Sequence, residues 1–187
     1  MKLLTAQKLL QKYSAEYFKE ASTFGALSTE TVLWLLDNGR IYRLETDETL
    51  FEIDERGDNF FIILQGSFAY YKSHLQQYAF IRDYKVGEQI GFMSMIALHN
   101  RVGTAVANED SLVLEISSAV FQQLHNIAPS DFGMLMMNLA REMARSLRKG
   151  DNLIVDKTAA SGKVGYRSAS RSKLKQLRFN DHQRNRE

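Results

Sequence analysis

The stretch GEQIGFMSMIALHNRVGT, residues 87–104, combines closely spaced glycines with small residues and one arginine. A glycine at a strand end lets the chain turn tightly, and a short helix that begins near residues 92–94 would present free backbone N–H groups to an anion. Arg101 adds a charged donor suited to a phosphate. The pattern therefore predicts a phosphate-binding loop. Its predicted ligand-binding residues are Gly91, Phe92, Met93, Ser94, Arg101, Val102, Gly103 and Thr104.

Short strands surround this loop. Between residues 40 and 117, runs of β-branched and aromatic residues such as NFFIIL and SFAYY alternate with turn-forming clusters such as ERGDN and KVGE. The segment SLVLEIS at 111–117 has the period of two that is typical of a strand. Strands that follow one another about every 8–12 residues predict an antiparallel sandwich or roll, here of about eight strands.

Helical patterns flank the strands. Residues 3–20 predict one amphipathic helix, and Ser28 is placed to cap a second helix that ends before Gly39. Residues 118–126 predict a short helix, and Pro129 begins a long one. The predicted fold class is mainly β with flanking helices: an antiparallel, jelly-roll-like β-roll with N-terminal helices and a long C-terminal helix. The predicted segments are 1–24, 25–128, 129–150 and a flexible tail at 151–187.

The long helix carries an apolar seam with a spacing of three to four residues. The seam residues are Phe132, Met136, Leu139 or Ala140, Met143 and Leu147. Such a seam packs either on its own domain or on a second copy of the chain. We expect a homodimer or another protein partner on this seam, through residues 129–149. Met134, Leu135 and Met137 would then supply a second apolar face for the home domain.

Four stretches of the chain, in this order, resemble the cyclic nucleotide-binding domain family, which includes the catabolite activator protein and the regulatory subunits of cAMP-dependent protein kinase. They are FGALSTETVLWLL, RGDNFFIILQGSFAYY, GEQIGFMSMIALHNRVGT and APSDFGMLMMNLAREMARSLR. The resemblance covers about residues 24–149. It implies a β-roll, a non-enzymatic signalling role of the bacterial type, and a cyclic nucleotide such as cAMP in the phosphate-binding cassette at 87–104. It also implies that binding is relayed through the 129–149 helix.

The cassette departs from the family pattern at two positions. Phe92 stands where the family usually has an acidic residue that bonds the ribose 2′-hydroxyl, and Val102 replaces a small hydroxyl residue. A hydrogen bond to a charged group contributes about 1.5–3 kcal/mol, so its loss weakens binding about ten- to a hundredfold or more. Three alternatives follow. The pocket binds a cyclic nucleotide weakly, it binds a cyclic dinucleotide such as cyclic di-GMP, or it is vestigial and the protein is an adaptor.

Composition narrows the functional classes. The chain has no cysteine, its four histidines are scattered, and it contains neither G-x-S-x-G nor a P-loop, so we expect neither an enzyme nor a metal site nor a bound cofactor. No apolar run approaches the ~20 residues of a membrane span, and we expect a cytoplasmic protein. The 37 residues after Gly150 lack the apolar pattern of a helix-turn-helix domain.

Charge is unevenly distributed along the chain. Residues 1–140 hold 11 Lys and Arg against 17 Asp and Glu, a net charge of −6, whereas residues 141–187 hold 13 against 5, a net charge of +8. A basic tail on an acidic body is typical of a segment that meets an anionic partner. We expect the tail either to bind nucleic acid or another anionic surface without sequence preference, or to be simply solvated.

Overall fold

The computed structural model describes residues 1–74 and 77–160. The strands are β1 (Lys2–Leu4), β2 (Arg40–Leu44), β3 (Thr49–Phe51), β4 (Asn59–Gln65), β5 (Ser67–His74), β6 (Gln77–Lys85), β7 (Gln89–Ile90), β8 (Thr104–Ala107) and β9 (Ser111–Ser117). They form two antiparallel sheets, in the orders β1-β2-β9-β4-β7 and β3-β8-β5-β6. The predicted β-roll is confirmed, and β1 adds a ninth strand to the eight expected.

Strand β4 is apolar from Phe60 to Leu64 because both of its faces are covered. Phe60 and Ile62 point into a core cluster shared with the helices, while Phe61 and Ile63 point into a second cluster between the two sheets. Alternating residues of one strand thus serve two different cores. This explains why the run NFFIIL lacks the polar alternation of a strand that is solvated on one face.

Six α-helices accompany the sheets in the described residues. They are α1 (Ala6–Leu10), α2 (Ala15–Lys19), α3 (Thr29–Asn38), α4 (Phe92–Ile96), α5 (Ser118–Ile127) and α6 (Pro129–Ala160). The predicted caps of α3 are confirmed: the Ser28 hydroxyl accepts from the Thr31 amide at 3.1 Å, and Gly39 follows the last turn. The predicted starts of α5 and α6 are confirmed as well.

The prediction of one helix over residues 3–20 is wrong. Residues 2–4 pair with β2 as strand β1, and two short helices follow. The Thr5 hydroxyl accepts a hydrogen bond from the Lys8 amide, and the Ser14 hydroxyl accepts one from the Tyr17 amide. Each hydroxyl side chain therefore starts a new helix, which interrupts the longer amphipathic pattern.

The predicted end of the long helix at residue 150 is also wrong, because α6 continues to Ala160. A methyl group placed on Gly150 would meet no atom within 4 Å, and a single glycine lowers helix stability by only about 1 kcal/mol relative to alanine. By its contacts the chain divides into a unit of Met1–Met143 and a second unit that begins at Ala144. The rest of the predicted basic tail, 161–187, lies outside the described residues.

The seam of α6 packs on its own domain. Phe132, Met136, Leu139 and Met143 all contact the helix-side core, and Leu139 is fully buried. The expectation that these residues face a second copy is therefore wrong for the first half of the helix. A spacing of three to four residues defines a helix face but does not say what covers it. Not every apolar residue of α6 is buried. The exposed ones include Ala140 and Leu147 of the predicted seam and Met137 of the predicted second face.

The described residues contain neither a membrane-spanning helix nor a cluster of metal-ligating side chains. No helix in residues 1–74 and 77–160 is long and apolar enough to span a membrane. In the same ranges, no group of three or more His, Cys, Asp or Glu is arranged to hold a metal ion.

Asp131 in the first turn of α6 joins that helix to the start of α3. Its Oδ2 accepts hydrogen bonds from the hydroxyls of Ser28 and Thr31 and, at 3.3 Å, from the Ser28 amide. Partial burial alone would raise the pKa of Asp131, but these hydrogen bonds outweigh it and hold the pKa below its usual range. The carboxylate form is therefore stabilised in the folded protein.

We expect Asp131→Ala to lower the free energy of unfolding by about 1–2 kcal/mol at pH 7, as for the loss of a charged hydrogen-bond acceptor. Because the folded-state pKa is lowered, this contribution is fully present above the ordinary aspartate pKa of about 4 and is lost as the pH falls through the lowered value. Urea denaturation between pH 7 and pH 3 measures it. Asp151→Ala, at an exposed position of the same helix, is the control, and an equal effect of both changes would contradict the assignment.

Candidate functional site

The 87–104 segment folds as β7, α4 and the loop that leads into β8. Gly91 joins the strand to the helix with a φ of +93°, a backbone conformation that side chains disfavour. A Cβ built at Gly91 would also lie 2.4 Å from Arg101 Nη1. The predicted short helix near residues 92–94 is confirmed, and glycine is required at its start for both backbone and steric reasons.

The guanidinium of Arg101 lies at the centre of this loop and is only 2% exposed. Its Nη1 donates to the Gly91 carbonyl at 2.8 Å. Its Nη2 donates to the Asn59 carbonyl at 2.9 Å and to Asn59 Oδ1. The Arg101 amide donates to the Glu55 carbonyl at 2.8 Å. One residue therefore connects the cassette to the turn that precedes β4.

The positive charge of Arg101 has no ion-pair partner among residues 1–74 and 77–160. The guanidinium carbon lies 4.4 Å from the ring centroid of Phe51 and 5.8 Å from that of Phe61, close enough for cation–π attraction. Its Nε is buried without a hydrogen-bond partner. Burial lowers the pKa of Arg101 from its ordinary value. The site is thus a buried cation offset by carbonyl dipoles and aromatic faces, and an anion would complement it.

The side chain of Phe92 belongs to the core and not to the ligand side of the loop. It is fully buried and contacts the rings of Phe60 and Phe121 edge-on, with centroids 5.2 and 5.9 Å away. Met93 beside it is 60% exposed. Of these two predicted ligand-binding residues, Phe92 is therefore a core residue.

The expectation of free amides at residues 92–94 is wrong for two of the three positions. The Phe92 amide donates to Gln89 Oε1 at 3.2 Å, and the Ser94 amide donates to the Gly91 carbonyl at 3.2 Å. The buried side chain of Gln89 folds back and caps α4. The backbone donors that a phosphate-binding loop would offer are therefore largely engaged within the loop itself.

The remaining predicted site residues have mixed placements. Ser94 is buried, whereas Val102 is partly exposed. Gly103 is packed closely, since a Cβ there would lie 2.5 Å from the Tyr70 hydroxyl. Burial raises the pKa of Tyr70 to about 12, so its phenol stays protonated at neutral pH. Thr104 Oγ1 accepts from the Ile53 amide at 3.2 Å. Gly91 thus contacts Arg101 directly, whereas Thr104 bonds the backbone at Ile53 in the segment after β3.

Three residues missed by the sequence analysis connect the cassette to the rest of the domain. Asn59 accepts from Arg101, and Gln89 caps α4. The Gln89 amide donates to Glu142 Oε2 at 3.3 Å, which links β7 to α6. Glu142 is a carboxylate on the buried face of the amphipathic helix α6. A charged residue on an apolar helix face indicates a buried polar contact, and the sequence pattern could have identified it. Asn59 follows the turn that ends at Asp58, and nothing in the local pattern marks it.

Comparison with known proteins supports the fold. Residues 41–127 match the family model of the cyclic nucleotide-binding domain. A cyclic nucleotide-binding domain from Methylobacillus flagellatus is 24% identical, with a TM-score of 0.72 over 84% of this chain and 89% of that one. The Thermus thermophilus catabolite activator protein is 25% identical, with a TM-score of 0.63 over 74% and 63%.

A third similar structure is the regulatory domain of Toxoplasma gondii PKA with cAMP, which is 18% identical, with a TM-score of 0.58 over 72% of this chain and 51% of that one. No curated protein matches the sequence significantly. The resemblance and the β-roll fold class are therefore confirmed. The fold is shared with these cyclic nucleotide-binding domains, and no helix-turn-helix domain is present in residues 1–74 and 77–160.

We expect Phe92→Ala to lower the free energy of unfolding by about 3–5 kcal/mol, because it removes a fully buried ring from between two others. Chemical denaturation measures the change. Met93→Ala, one residue along the same helix and exposed, should change stability by less than about 0.5 kcal/mol. A tolerated Phe92→Ala would place the ring outside the core.

Proposed function

We propose, from the premise that residues 41–127 form a cyclic nucleotide-binding domain, that the chain is a non-enzymatic regulatory module that binds a phosphate-bearing cyclic nucleotide at Arg101. The observation that carries this proposal is the buried guanidinium, which has no carboxylate in direct contact among the described residues and whose Nε has no partner. Burying a charge without a counter-charge in direct contact is unfavourable. A phosphate would compensate that charge through charge-assisted hydrogen bonds.

Phe92 removes a contact that every candidate ligand would use. A ribose 2′-hydroxyl gains from an acidic acceptor, and here a buried aromatic ring stands at that position. Both cAMP and cGMP carry a free 2′-hydroxyl beside the 3′-phosphate, and so do the 3′,5′-linked cyclic dinucleotides. The proposed ligand class is therefore the cyclic nucleotides together with the cyclic dinucleotides such as cyclic di-GMP.

A polar route leads from the cassette to the first half of α6. Gln89 caps α4 through its side chain and bonds Glu142 through its amide. Glu142 Oε1 also accepts from the Ser22 hydroxyl at 3.0 Å. A ligand that moves α4 would change the position of Gln89 and hence of Glu142. We propose this route as the way in which binding biases α6 between two states.

A protein adaptor with a vestigial pocket is the second candidate. It is favoured because Nη1 and Nη2 of Arg101 and the Phe92 amide already have partners within the protein. Apolar side chains are meanwhile exposed within the cassette itself, including Met93 and Leu98, of which Leu98 is 92% exposed. A protein partner on this surface would need no ligand.

A thermal-shift panel followed by calorimetry separates the two candidates. The panel holds cAMP, cGMP, cyclic di-GMP, cyclic di-AMP and linear nucleotides. A ligand at a hundred times its Kd should stabilise the protein by about 2.7 kcal/mol. We expect at least one of the four cyclic ligands to give a larger shift than the linear nucleotides. No shift at millimolar concentrations of any of them would reject the receptor and leave the adaptor.

Arg101→Lys should abolish that shift, because lysine keeps the charge but lacks the planar fork that binds two phosphate oxygens. The matched control is Arg56→Lys. Arg56 lies in the turn before β4, is exposed and is paired with Asp58. Equal ligand-induced shifts in wild type and Arg101→Lys would move the binding site away from Arg101.

Glu142→Gln tests the route to α6. In the wild type, the ligand identified by the panel should change amide hydrogen exchange in residues 129–143. Glu142→Gln weakens the contact with the Gln89 amide by removing the carboxylate charge, so we expect a smaller change in that segment with little loss of affinity. Asp151→Asn should behave as wild type. An unaltered response in Glu142→Gln would exclude this route.

A further inference from the structure

The side chain of Asn59 bonds two oppositely charged groups at once. Its Oδ1 accepts from Arg101 Nη2, and its Nδ2 donates to Glu115 Oε1 at 2.8 Å. A guanidinium can only donate hydrogen bonds and a carboxylate can only accept them. Only one orientation of the amide therefore satisfies both neighbours, and Glu115 fixes the orientation in which the Asn59 oxygen faces Arg101.

The strand pairing holds Asn59 and Glu115 in place. They lie on the adjacent strands β4 and β9, where Asn59 pairs with Ser117 and Phe61 with Glu115. Glu115 is buried and lines a polar cavity of about 390 Å³. Asn38, Asp58 and Asn59 line the same cavity. Asn59 thus separates the cassette from a polar cavity on its other side.

Asn59 accepts hydrogen bonds from Nη2, one of the two nitrogens of Arg101 that a phosphate would use. Nε and Nη2 form the side edge of a guanidinium, and two oxygens bind that edge as a fork. Both the carbonyl and the Oδ1 of Asn59 accept from Nη2, whereas Nε has no partner. Nε is itself buried and Asn59 occupies Nη2, so a phosphate reaches this edge only when the groups that cover it, the Asn59 oxygens among them, withdraw.

We infer that Asn59, oriented by Glu115, is a clamp that competes with the ligand for Arg101 and sets the affinity of the site. Asn59 and Glu115 are positioning residues, since both act on the ligand through Arg101. The clamp is a property of the free protein, and its effect on affinity rests on the proposed function. If a phosphate displaces the Asn59 amide, the hydrogen bond between Asn59 and Glu115 also breaks. Binding at the cassette would then change the position of Glu115 in the polar cavity.

The clamp is tested first without ligand, by arginine side-chain NMR on the full chain, with the Arg101 signals assigned through Arg101→Lys. Asn59→Ala and Glu115→Ala should each speed hydrogen exchange at Arg101 Nη2 at least tenfold. Glu115→Gln keeps an acceptor for Asn59 Nδ2 and should stay near wild type. Asn38→Ala is the matched control, because Asn38 lines the same cavity but bonds only the Trp34 carbonyl of its own helix. Unchanged exchange in both alanine variants would overturn the clamp.

Calorimetry with cAMP, cGMP, cyclic di-GMP and cyclic di-AMP then tests the competition. We expect Asn59→Ala and Glu115→Ala to bind at least tenfold more tightly than wild type, and Glu115→Gln and Asn38→Ala to match wild type. Equal or weaker binding by both alanine variants, with measurable wild-type binding, would overturn the competition while the proposed function stands. If neither wild type nor Asn59→Ala binds any of the four probes, the proposed function fails and the inferred effect on affinity fails with it. The exchange data alone then decide whether the clamp exists.

Discussion

The buried guanidinium of Arg101 constrains the whole cassette. A cation that is withdrawn from water must be surrounded by groups that compensate its charge, and here these are two backbone carbonyls, one amide oxygen and two aromatic faces. These groups come from three parts of the chain, at Phe51, at residues 59–61 and at Gly91. Gly91 has to lack a side chain because the guanidinium lies against it. The same contacts leave Nε of the guanidinium without a hydrogen-bond partner, and the proposed binding of a phosphate rests on that nitrogen.

The β-roll allows this arrangement because strand β4 separates two cores. One face of β4 packs with the helices and receives Phe92, while the other packs between the sheets and carries Phe61 beneath Arg101. A change at the start of β4 therefore reaches both cores. Asn59, at the first position of the strand, is the point where polar contacts replace apolar ones.

Elements whose signals are local could be predicted from the sequence, and contacts between distant segments could not. The Ser28 cap, the start of α6 at Pro129 and the short helix after Gly91 depend on neighbouring residues, and all three were predicted correctly. The partner of the α6 seam, the capping by Gln89 and the contact of Asn59 with Arg101 depend on the tertiary fold. Thr5 and Ser14 are an intermediate case, since their capping role is local but the amphipathic period concealed it.

The pairing of β9 with both β2 and β4 has a consequence for how the protein is made. Arg40 pairs with Glu115 and Asn59 pairs with Ser117, so the centre of the five-stranded sheet closes only when a strand from much later in the chain arrives. Such non-local pairing is slow, because loop-closure entropy is lost before contacts form. During synthesis, the apolar strand β4 leaves the ribosome well before its partner. Nascent chains therefore expose the segment NFFIIL until β9 has been synthesised, and a transiently exposed apolar strand of this kind is prone to aggregation.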